Sequence, residues 1–363
     1  MKLKKIWETN IGSQIFDVKV GDFDGDGSSE IVVCTEDGRI VIVSIDGEIV
    51  HELFISENKP IWRLELYDIT RDGKMEIISG GMDGLLNIFR WNNDTIELFW
   101  SQSFQNSVSG LFFDDINDDS KTELVAYSLD KSLRVLNPLN GELMWGQLFE
   151  DGVGVVKAYD CDGDGDIEVI GGGNDGTLRV FNGKDGELKW FKKFTNNIRC
   201  LSCFQDKKIV ICGGDDKEIY FLNGINGGFI KSIAMDEFVW EIVLYTIESK
   251  RENVLVYSYS FDYLNNDADI RDLKFKSKLI SFNSDLEINW EIEGFNIEDL
   301  KISFPYIIAG TTKGNMLFIN ESTGNIIDRD NCGSTINNVE IRSQNVYCVT
   351  KKGKVICFNL NRD

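Results

Sequence analysis

Four short stretches of the sequence carry carboxylates at a spacing that suits metal binding. The fullest copy is Asp160–Glu168, with acidic residues at positions 1, 3, 5, 7 and 9 and glycines at positions 4 and 6. A hard cation such as Ca²⁺ takes about six to eight oxygen ligands, and alternate carboxylates on a tight, glycine-bent turn point several oxygens at one centre. This stretch is therefore a candidate calcium site.

The same spacing recurs three times, and we number the stretches loop 1 (22–30), loop 2 (68–76), loop 3 (115–123) and loop 4 (160–168). The predicted side-chain ligands are Asp22, Asp24, Asp26 and Glu30; Asp68, Thr70, Asp72 and Glu76; Asp115, Asn117, Asp119 and Glu123; and Asp160, Asp162, Asp164 and Glu168. Thr70 and Asn117 replace one aspartate each, so loops 1 and 4 offer more carboxylates than loops 2 and 3. Up to four ions are predicted, either Ca²⁺ or, in a compartment poor in calcium, Mg²⁺ with extra waters.

Two other interpretations of the acidic loops compete with this one. An EF-hand needs a twelve-residue loop that ends on glutamate and lies between two helices. Here the last acid is at position 9 and the flanking runs read as strands, which argues against an EF-hand. The simpler alternative is that the loops are solvated Asp/Gly turns without an ion.

Composition narrows the class of protein. The net charge is −22, whereas binding to nucleic acid or to an anionic membrane needs a basic surface. The amino terminus has no apolar signal segment, and no apolar run is long enough to span a membrane. The eight cysteines are irregularly spaced in strand-like runs, as expected of free buried thiols in a reducing compartment. We therefore expect a cytoplasmic protein with no nucleic-acid partner and no direct membrane insertion.

The acidic loops lie between short β-type runs that form a repeating unit. In the first unit, Ile15–Val20 precedes the loop and Ile31–Thr35 follows it, and two further runs follow turns at Asp37-Gly38 and Asp46-Gly47. Asp-Gly turns join antiparallel strands because glycine accepts a positive φ. The unit of four strands returns after about 45 residues, which is the period of β-propeller blades.

The repeats predict an all-β fold, a single eight-bladed β-propeller over residues 1–363. The last unit has room for only three strands, so the amino-terminal strand is predicted to complete it and close the ring. Seven blades remain an alternative if residues 238–328 hold one blade. The predicted blades are 14–55, 61–104, 107–149, 152–194, 197–233, 238–290, 295–328, and 336–360 with 3–9.

Strand alternation also predicts where the loops lie. All four acidic loops join the first and second strands of their blades, so they should share one face of the propeller. The one sizeable insertion, Asp262–Lys276, joins the second and third strands of its blade and should project from the opposite face. We expect that opposite face to be the docking surface for a partner.

The pattern D-x-D-G-D-G-x-x-E between strands resembles the FG-GAP repeats of integrin α-chain propellers. This resemblance covers residues 14–194 and implies that the backbone carbonyl at position 7 of each loop is a further metal ligand: Ser28, Lys74, Lys121 and Asp166. Val20–Gly27 followed by Val41–Val43 is similar to the propellers of Bardet–Biedl coat-complex subunits and of a lysosomal nutrient-signalling scaffold, which are non-enzymatic assembly modules. Asn137–Trp145 and Lys184–Trp190 resemble repeats of eight-bladed quinoprotein (PQQ-like) propellers.

Three functions remain open at this point. The first is a non-catalytic scaffold that binds another protein and whose loops use calcium to stabilise blades 1 to 4. The second is an enzyme with a site in the central channel, such as a polysaccharide lyase or a quinoprotein, although His51 is the only histidine available. The third is an exported adhesion module. Fold alone does not choose among them.

Overall fold

The computed structural model describes residues 2–92, 94–247, 251–260 and 276–361, and every regular element in these ranges is a β-strand. The first sixteen strands are β1 (Lys2–Asn10), β2 (Ile15–Gly21), β3 (Glu30–Thr35), β4 (Arg39–Val43), β5 (Ile49–Phe54), β6 (Ile61–Tyr67), β7 (Glu76–Gly81), β8 (Leu85–Asn92), β9 (Thr95–Ser103), β10 (Val108–Asp114), β11 (Glu123–Ser128), β12 (Ser132–Leu136), β13 (Leu143–Leu148), β14 (Val153–Tyr159), β15 (Glu168–Gly173) and β16 (Thr177–Asn182). The remaining strands are β17 (Leu188–Lys193), β18 (Ile198–Phe204), β19 (Ile209–Gly214), β20 (Glu218–Asn223), β21 (Phe229–Ala234), β22 (Phe238–Ile247), β23 (Arg251–Tyr259), β24 (Lys278–Phe282), β25 (Ile288–Glu293), β26 (Ile297–Ser303), β27 (Tyr306–Thr311), β28 (Asn315–Asn320), β29 (Ile326–Asn331), β30 (Ile336–Arg342), β31 (Asn345–Thr350) and β32 (Lys354–Asn361).

These strands form eight four-stranded antiparallel sheets, and the fold is an eight-bladed β-propeller. The first seven sheets each use four consecutive strands, from β2–β5 to β26–β29. The eighth has the order β1-β32-β31-β30, and Trp7 of β1 lies opposite Cys357 of β32. The predicted closure by the amino-terminal strand is therefore confirmed. The seven-blade alternative is wrong, because β22–β25 and β26–β29 form two separate sheets within residues 238–331.

The chain divides into two compact units. The first comprises residues 1–111, 139–141 and 297–363, and it contains the blades β2–β5, β6–β9, β26–β29 and β30–β32 with β1. Its core is formed where apolar residues of neighbouring blades meet, for example Val18 and Val33 with Tyr347 and Val355. The middle strands β3 and β4 are buried along most of their length, because they are covered on both faces.

The second unit comprises residues 112–138 and 142–296, with most of the blade β10–β13 and the blades β14–β17, β18–β21 and β22–β25. Apolar residues of consecutive blades again interdigitate, as Val180 and Leu178 do with Leu201 and Cys212. Burying these β-branched and aromatic side chains on a pleated surface is what favours strands in this sequence.

A tryptophan on the fourth strand links one blade to the turn of the next. Trp145 on β13 donates from Nε1 to the carbonyl of Gly183 at 2.8 Å, and Trp190 on β17 donates to Gly224 at 2.7 Å. In the first unit, Trp7 donates to the carbonyl of Ile45 at 2.9 Å. These three tryptophans therefore pack between blades, where the one polar N–H of a large apolar ring is satisfied by a backbone carbonyl.

Three further features bear on the sequence predictions. All eight cysteines are buried and unpaired, as the sequence predicted. In the described part of the chain, no helix has the length and hydrophobicity needed to cross a membrane. The insertion predicted at Asp262–Lys276 falls, apart from Lys276, on residues 262–275, which lie outside the described residues.

Candidate functional site: the acidic loops

Each acidic loop joins the first and second strands of its blade. Loop 1 follows β2, loop 2 follows β6, loop 3 follows β10 and loop 4 follows β14. The glutamate at position 9 is in every case the first residue of the second strand, so it is part of the regular sheet. Glu76, Glu123 and Glu168 are buried, and Glu30 is half-buried. The sheet thus fixes the last acid, whereas the aspartates belong to the turn itself.

One carboxylate oxygen of this glutamate has the same partner in all four loops. Its Oε2 accepts a hydrogen bond from the backbone N–H at position 2: Phe23 at 2.9 Å, Ile69 at 2.7 Å, Ile116 at 3.1 Å and Cys161 at 2.9 Å. The side chains at position 2 are themselves buried in the blade. This contact closes the loop and leaves the second oxygen, Oε1, directed to other partners.

The aspartates at positions 1 and 5 hold the turn through backbone amides. In loop 1, Asp22 accepts from Gly25 N at 2.8 Å and from Gly27 N at 2.9 Å, and Asp26 accepts from Ser28 N at 2.7 Å. The residue at position 7 makes the same contact in the other loops: Lys74 to Asp72 at 3.0 Å, Lys121 to Asp119 at 2.8 Å and Asp166 to Asp164 at 2.9 Å. Such Asx-type bonds shape the turn with or without an ion.

Loops 1 and 4 bring three carboxylates together. Oxygens of Asp22, Asp24 and Glu30 lie within 4.8 Å of one another, and so do oxygens of Asp160, Asp162 and Glu168. Two oxygens on one Ca²⁺ lie at most about 5 Å apart, since each bond is about 2.3–2.6 Å. The first, third and ninth positions of both loops therefore have a spacing that one cation can bridge. Asp26 and Asp164, at position 5, lie outside these groups of three.

Loops 2 and 3 have a different interior, because Thr70 and Asn117 take the place of an aspartate. The Thr70 hydroxyl lies 3.4 Å from Oε1 of Glu76, and the Asn117 amide donates to Oε1 of Glu123 at 3.0 Å. The first aspartates accept the usual backbone bonds, from Asp72 N and Gly73 N to Asp68, and from Asp119 N and Ser120 N to Asp115. The predicted residues thus line both loops, and in each loop the residue at position 3 donates a hydrogen bond to Oε1 of the glutamate.

Within each of loops 1, 2 and 3, burial and the neighbouring aspartates raise the pKa of the glutamate at position 9. Burial, followed by Asp24, Asp26 and Asp22, raises the pKa of Glu30 to about 7. Burial, followed by Asp119 and Asp115, raises the pKa of Glu123 to about 7. Burial also raises the pKa of Glu76, with Asp72 and Asp68 adding to it. A buried carboxylate among like charges favours either a proton or a cation. Loop 1 therefore fits a hard divalent cation by its oxygen donors and by their spacing.

Loop 4 differs because Lys184 and Lys189 form ion pairs with its carboxylates. Lys189 Nζ lies 2.6 Å from Asp162 Oδ2, 2.8 Å from Glu168 Oε1 and 3.5 Å from Asp164 Oδ2. Lys184 Nζ lies 2.6 Å from Asp166 at the edge of the loop. Burial alone would lower the pKa of Lys189, but its bonds to Asp162 and Glu168 raise it above its ordinary value.

The sequence interpretation did not assign these lysines a role. Lys189 stands 21 residues beyond Glu168, on β17, so no local motif connects the two. A signal exists in the repeat, because Glu187-Leu188-Lys189-Trp190 has a lysine where Glu142-Leu143-Met144-Trp145 has a methionine.

Charged residues also meet on the first strands of the first unit. Lys19 Nζ lies 3.0 Å from Glu65 Oε2, and Lys301 Nζ lies 3.1 Å from Asp299 Oδ2. Burial raises the pKa of Glu340, whereas Lys301 and Lys19 act to lower it. These groups have opposite charges and partner one another, with Lys19 and Lys301 among the carboxylates of Glu65, Asp299 and Glu340.

Comparison with known proteins agrees with the propeller fold. A family model described as the lambda-carrageenase β-propeller domain matches residues 153–265, which is less than half of the chain. The curated protein "BBSome complex member BBS2" of Rattus norvegicus is 27% identical, and the match covers 37% of this chain and 23% of that protein. The chain therefore spans less than a quarter of the curated relative it matches.

Solved structures are similar over nearly the whole chain. Sqt1 of Saccharomyces cerevisiae superposes with a TM-score of 0.76 and 10% identity, covering 100% of both chains. The computationally designed Ika8 protein has a TM-score of 0.74 and 16% identity, covering 96% of this chain and 97% of that one. BamB of Moraxella catarrhalis has a TM-score of 0.69 and 13% identity, covering 98% and 99%. At such low identities the similarity establishes the fold alone, and the FG-GAP and PQQ-like repeat types stay predictions.

Proposed function

We propose that this propeller is a non-catalytic scaffold that binds another protein, and that divalent cations, Ca²⁺ or Mg²⁺, stabilise its FG-GAP-type acidic loops. The observation that carries the metal proposal is the convergence of Asp22, Asp24 and Glu30 in loop 1. Three carboxylates supply up to six oxygens, and the turn's backbone bonds hold the aspartates in place before any ion arrives. An ion there would offset the burial of Glu30 and the repulsion from Asp24, Asp26 and Asp22, which together raise its pKa.

The metal proposal is tested by thermal unfolding in excess EDTA and in excess calcium. A ligand that binds only the folded chain stabilises it by about 2.7 kcal/mol at a concentration 100 times its Kd. We expect calcium to raise the melting temperature, and the double variant Asp22→Asn with Asp24→Asn to lose much of that rise. Identical melting curves in EDTA and calcium would refute the loop assignment.

The matched control removes an acid outside the loop. Asp46 is exposed in the β4–β5 turn of the same blade. Asp46→Asn changes the charge of that blade without touching loop 1, so it should keep the full response to calcium. If it also lost the response, the effect would come from net charge rather than from bound metal.

The scaffold proposal draws support from the relative, whose name describes a member of a protein complex. Affinity purification from the source cell, with the full chain and with residues 262–275 deleted, tests the docking surface predicted at the insertion. A partner retained equally well after the deletion would place docking elsewhere.

A second candidate function follows from the family model, whose description is that of a lambda-carrageenase domain. It would make the protein a polysaccharide-degrading enzyme. A net charge of −22 disfavours a negatively charged glycan as the substrate. Incubation with lambda-carrageenan, followed by measurement of new reducing ends, distinguishes this candidate from the scaffold, for which we expect none.

A further inference from the structure

We infer that Lys189 is the resident cation of loop 4, so that this loop needs no divalent ion although it has the fullest set of acids. The inference rests on the proposed function, because it decides which of the proposed metal loops take metal. According to this inference, the side chain at the position of Lys189 on the fourth strand decides whether a metal ion or the protein itself neutralises the acidic loop of that blade.

The geometry places an ammonium among the predicted metal ligands. Lys189 Nζ contacts Asp162 and Glu168 at 2.6 and 2.8 Å and approaches Asp164 at 3.5 Å. The two shorter distances are those of charge-assisted hydrogen bonds. Their partners are withdrawn from water: the side chain of Asp162 is 11% exposed and that of Glu168 is 0% exposed. A divalent ion bound to Asp162 and Glu168 would have to displace the ammonium from both.

The fold explains how a residue of the outer strand reaches this loop. Lys189 is the second residue of β17, directly after the β16–β17 turn, and loop 4 joins β14 to β15. In a four-stranded antiparallel sheet, the turn between the third and fourth strands lies at the same end as the turn between the first and second. A long side chain early in the fourth strand can therefore extend toward the acidic loop.

The other loops lack this ammonium. Aligning each fourth strand on its inter-blade aromatic residue places Met144 before Trp145, Phe99 before Trp100 and Val50 before His51, where loop 4's blade has Lys189 before Trp190. Apolar side chains offer no charge to a carboxylate. Loops 1, 2 and 3 therefore have no cation from this position of the blade.

The second oxygen of the position-9 glutamate follows the same order. Oε1 accepts from Lys189 at 2.8 Å in loop 4, from the Asn117 amide at 3.0 Å in loop 3, and from the Thr70 hydroxyl at 3.4 Å in loop 2. In loop 1, no described residue donates to Oε1 of Glu30, whose Oε2 binds Phe23 N. The protein satisfies this oxygen fully in loop 4 and leaves it open in loop 1, where an external cation fits.

The test is calcium titration of the full-length protein by isothermal calorimetry, comparing the wild type with Lys189→Met, the residue found at the equivalent position of loop 3's blade. We expect Lys189→Met to bind one more calcium ion than the wild type, or to bind it at least about tenfold more tightly. In EDTA, Lys189→Met should melt at a lower temperature than the wild type, and calcium should remove this difference in melting temperature. Lys189→Gln, which removes the charge but keeps a hydrogen-bond donor, serves if Lys189→Met does not fold without calcium.

Lys184→Met is the matched control, because Lys184 contacts Asp166 but none of the carboxylates that Lys189 holds. It should leave the number of bound ions unchanged. The inference is overturned if wild type and both Lys189 variants bind the same number of ions with the same affinity, including the case in which none of them binds any.

The two proposals fail separately. If the wild type binds no calcium and the Lys189 variants bind one ion, the inference about Lys189 stands and the proposed metal function of the wild-type protein fails. If the wild type binds calcium and the variants add nothing, the proposed function stands and the inference fails.

Discussion

A single methyl group at Gly186 tests how tightly successive blades are locked together. Gly186 lies in the β16–β17 turn with a φ of +74°, and a Cβ there would lie 2.6 Å from Cε3 of Trp145. The Trp145 ring has little room to retreat, because its Nε1 donates to the carbonyl of Gly183 and the ring lies in a buried apolar cluster with Val135 and Phe181. Gly186→Ala therefore creates two problems, a left-handed backbone for a residue with a Cβ and an overlap with the ring.

The cost of each problem can be bounded. A left-handed conformation costs a non-glycine residue about 1–2 kcal/mol. Overpacking a filled core costs about 1–3 kcal/mol. Replacing glycine also makes the unfolded chain less flexible, which returns about 0.4–1 kcal/mol. We expect Gly186→Ala to lower the free energy of unfolding by about 1–4.5 kcal/mol.

Gly294→Ala separates the two contributions. Gly294 has a φ of +89°, and a Cβ added there would meet no atom of the described residues within 4 Å, so the backbone cost is the one that applies. We expect a loss of about 1 kcal/mol or less there. The difference between the two variants, about 1–3 kcal/mol, then measures the contact with Trp145.

Urea unfolding followed by tryptophan fluorescence is the suitable assay. Urea is preferred to heat because a chain of 363 residues has a large unfolding entropy, so that a change of 1 kcal/mol in the free energy of unfolding moves the melting temperature by only roughly 1.3 °C. Equal losses for Gly186→Ala and Gly294→Ala would refute the argument from the Trp145 contact. So would an unchanged cost of Gly186→Ala in a Trp145→Leu background, where the ring is gone.

Two further predictions concern charge. In EDTA, the free energy of unfolding should fall from pH 5.5 to pH 8. Glu30 and Glu123 have a pKa of about 7 in the folded chain, above their pKa in the unfolded chain, so the folded chain binds more protons and becomes less stable as the pH rises. Urea unfolding at both pH values measures this fall, and a rise in stability with pH would contradict the raised pKa values of Glu30 and Glu123. Lys19→Met should cost about 1–3 kcal/mol at pH 8, because it leaves Glu65 without its partner, whereas the control Lys352→Met in an exposed turn should cost little. Equal losses for the two lysine variants would mean that the Lys19–Glu65 pair contributes nothing measurable.

The sequence predicted what depends on local spacing. Asp22, Asp24 and Glu30 lie within nine residues, and their convergence follows from the turn and from the strand that begins at Glu30. The blade count followed from the repeat, and the amino-terminal strand from the missing fourth strand of the last unit. These features depend on period and hydrophobic alternation, which a single sequence displays directly.

Contacts between distant residues were harder to predict. Lys19 and Glu65 are 46 residues apart, close to one blade period, so equivalent positions on neighbouring first strands become neighbours in space. Lys189 on β17 reaches Glu168 at the start of β15 across the intervening strand β16, and it reaches Asp162 in the loop before β15, so the two partners are not linked by a local sequence motif. Such pairs are found by aligning the repeats strand by strand and looking for positions at which one repeat differs from the others. Lys189, which occupies the position of Met144, is such a difference.

The four loops can be understood as solutions to one electrostatic problem. Each fixes a partly or fully buried glutamate through Oε2, and each must then satisfy Oε1 and the charge of the aspartates around it. Thr70 and Asn117 reduce the charge and donate a hydrogen bond, Lys189 brings a positive charge, and loop 1 has neither. Because hydroxyl, amide and ammonium groups serve the same position, a metal ion in loop 1 would also serve the blade rather than a reaction. The surface that recognises a partner should therefore be sought away from these loops.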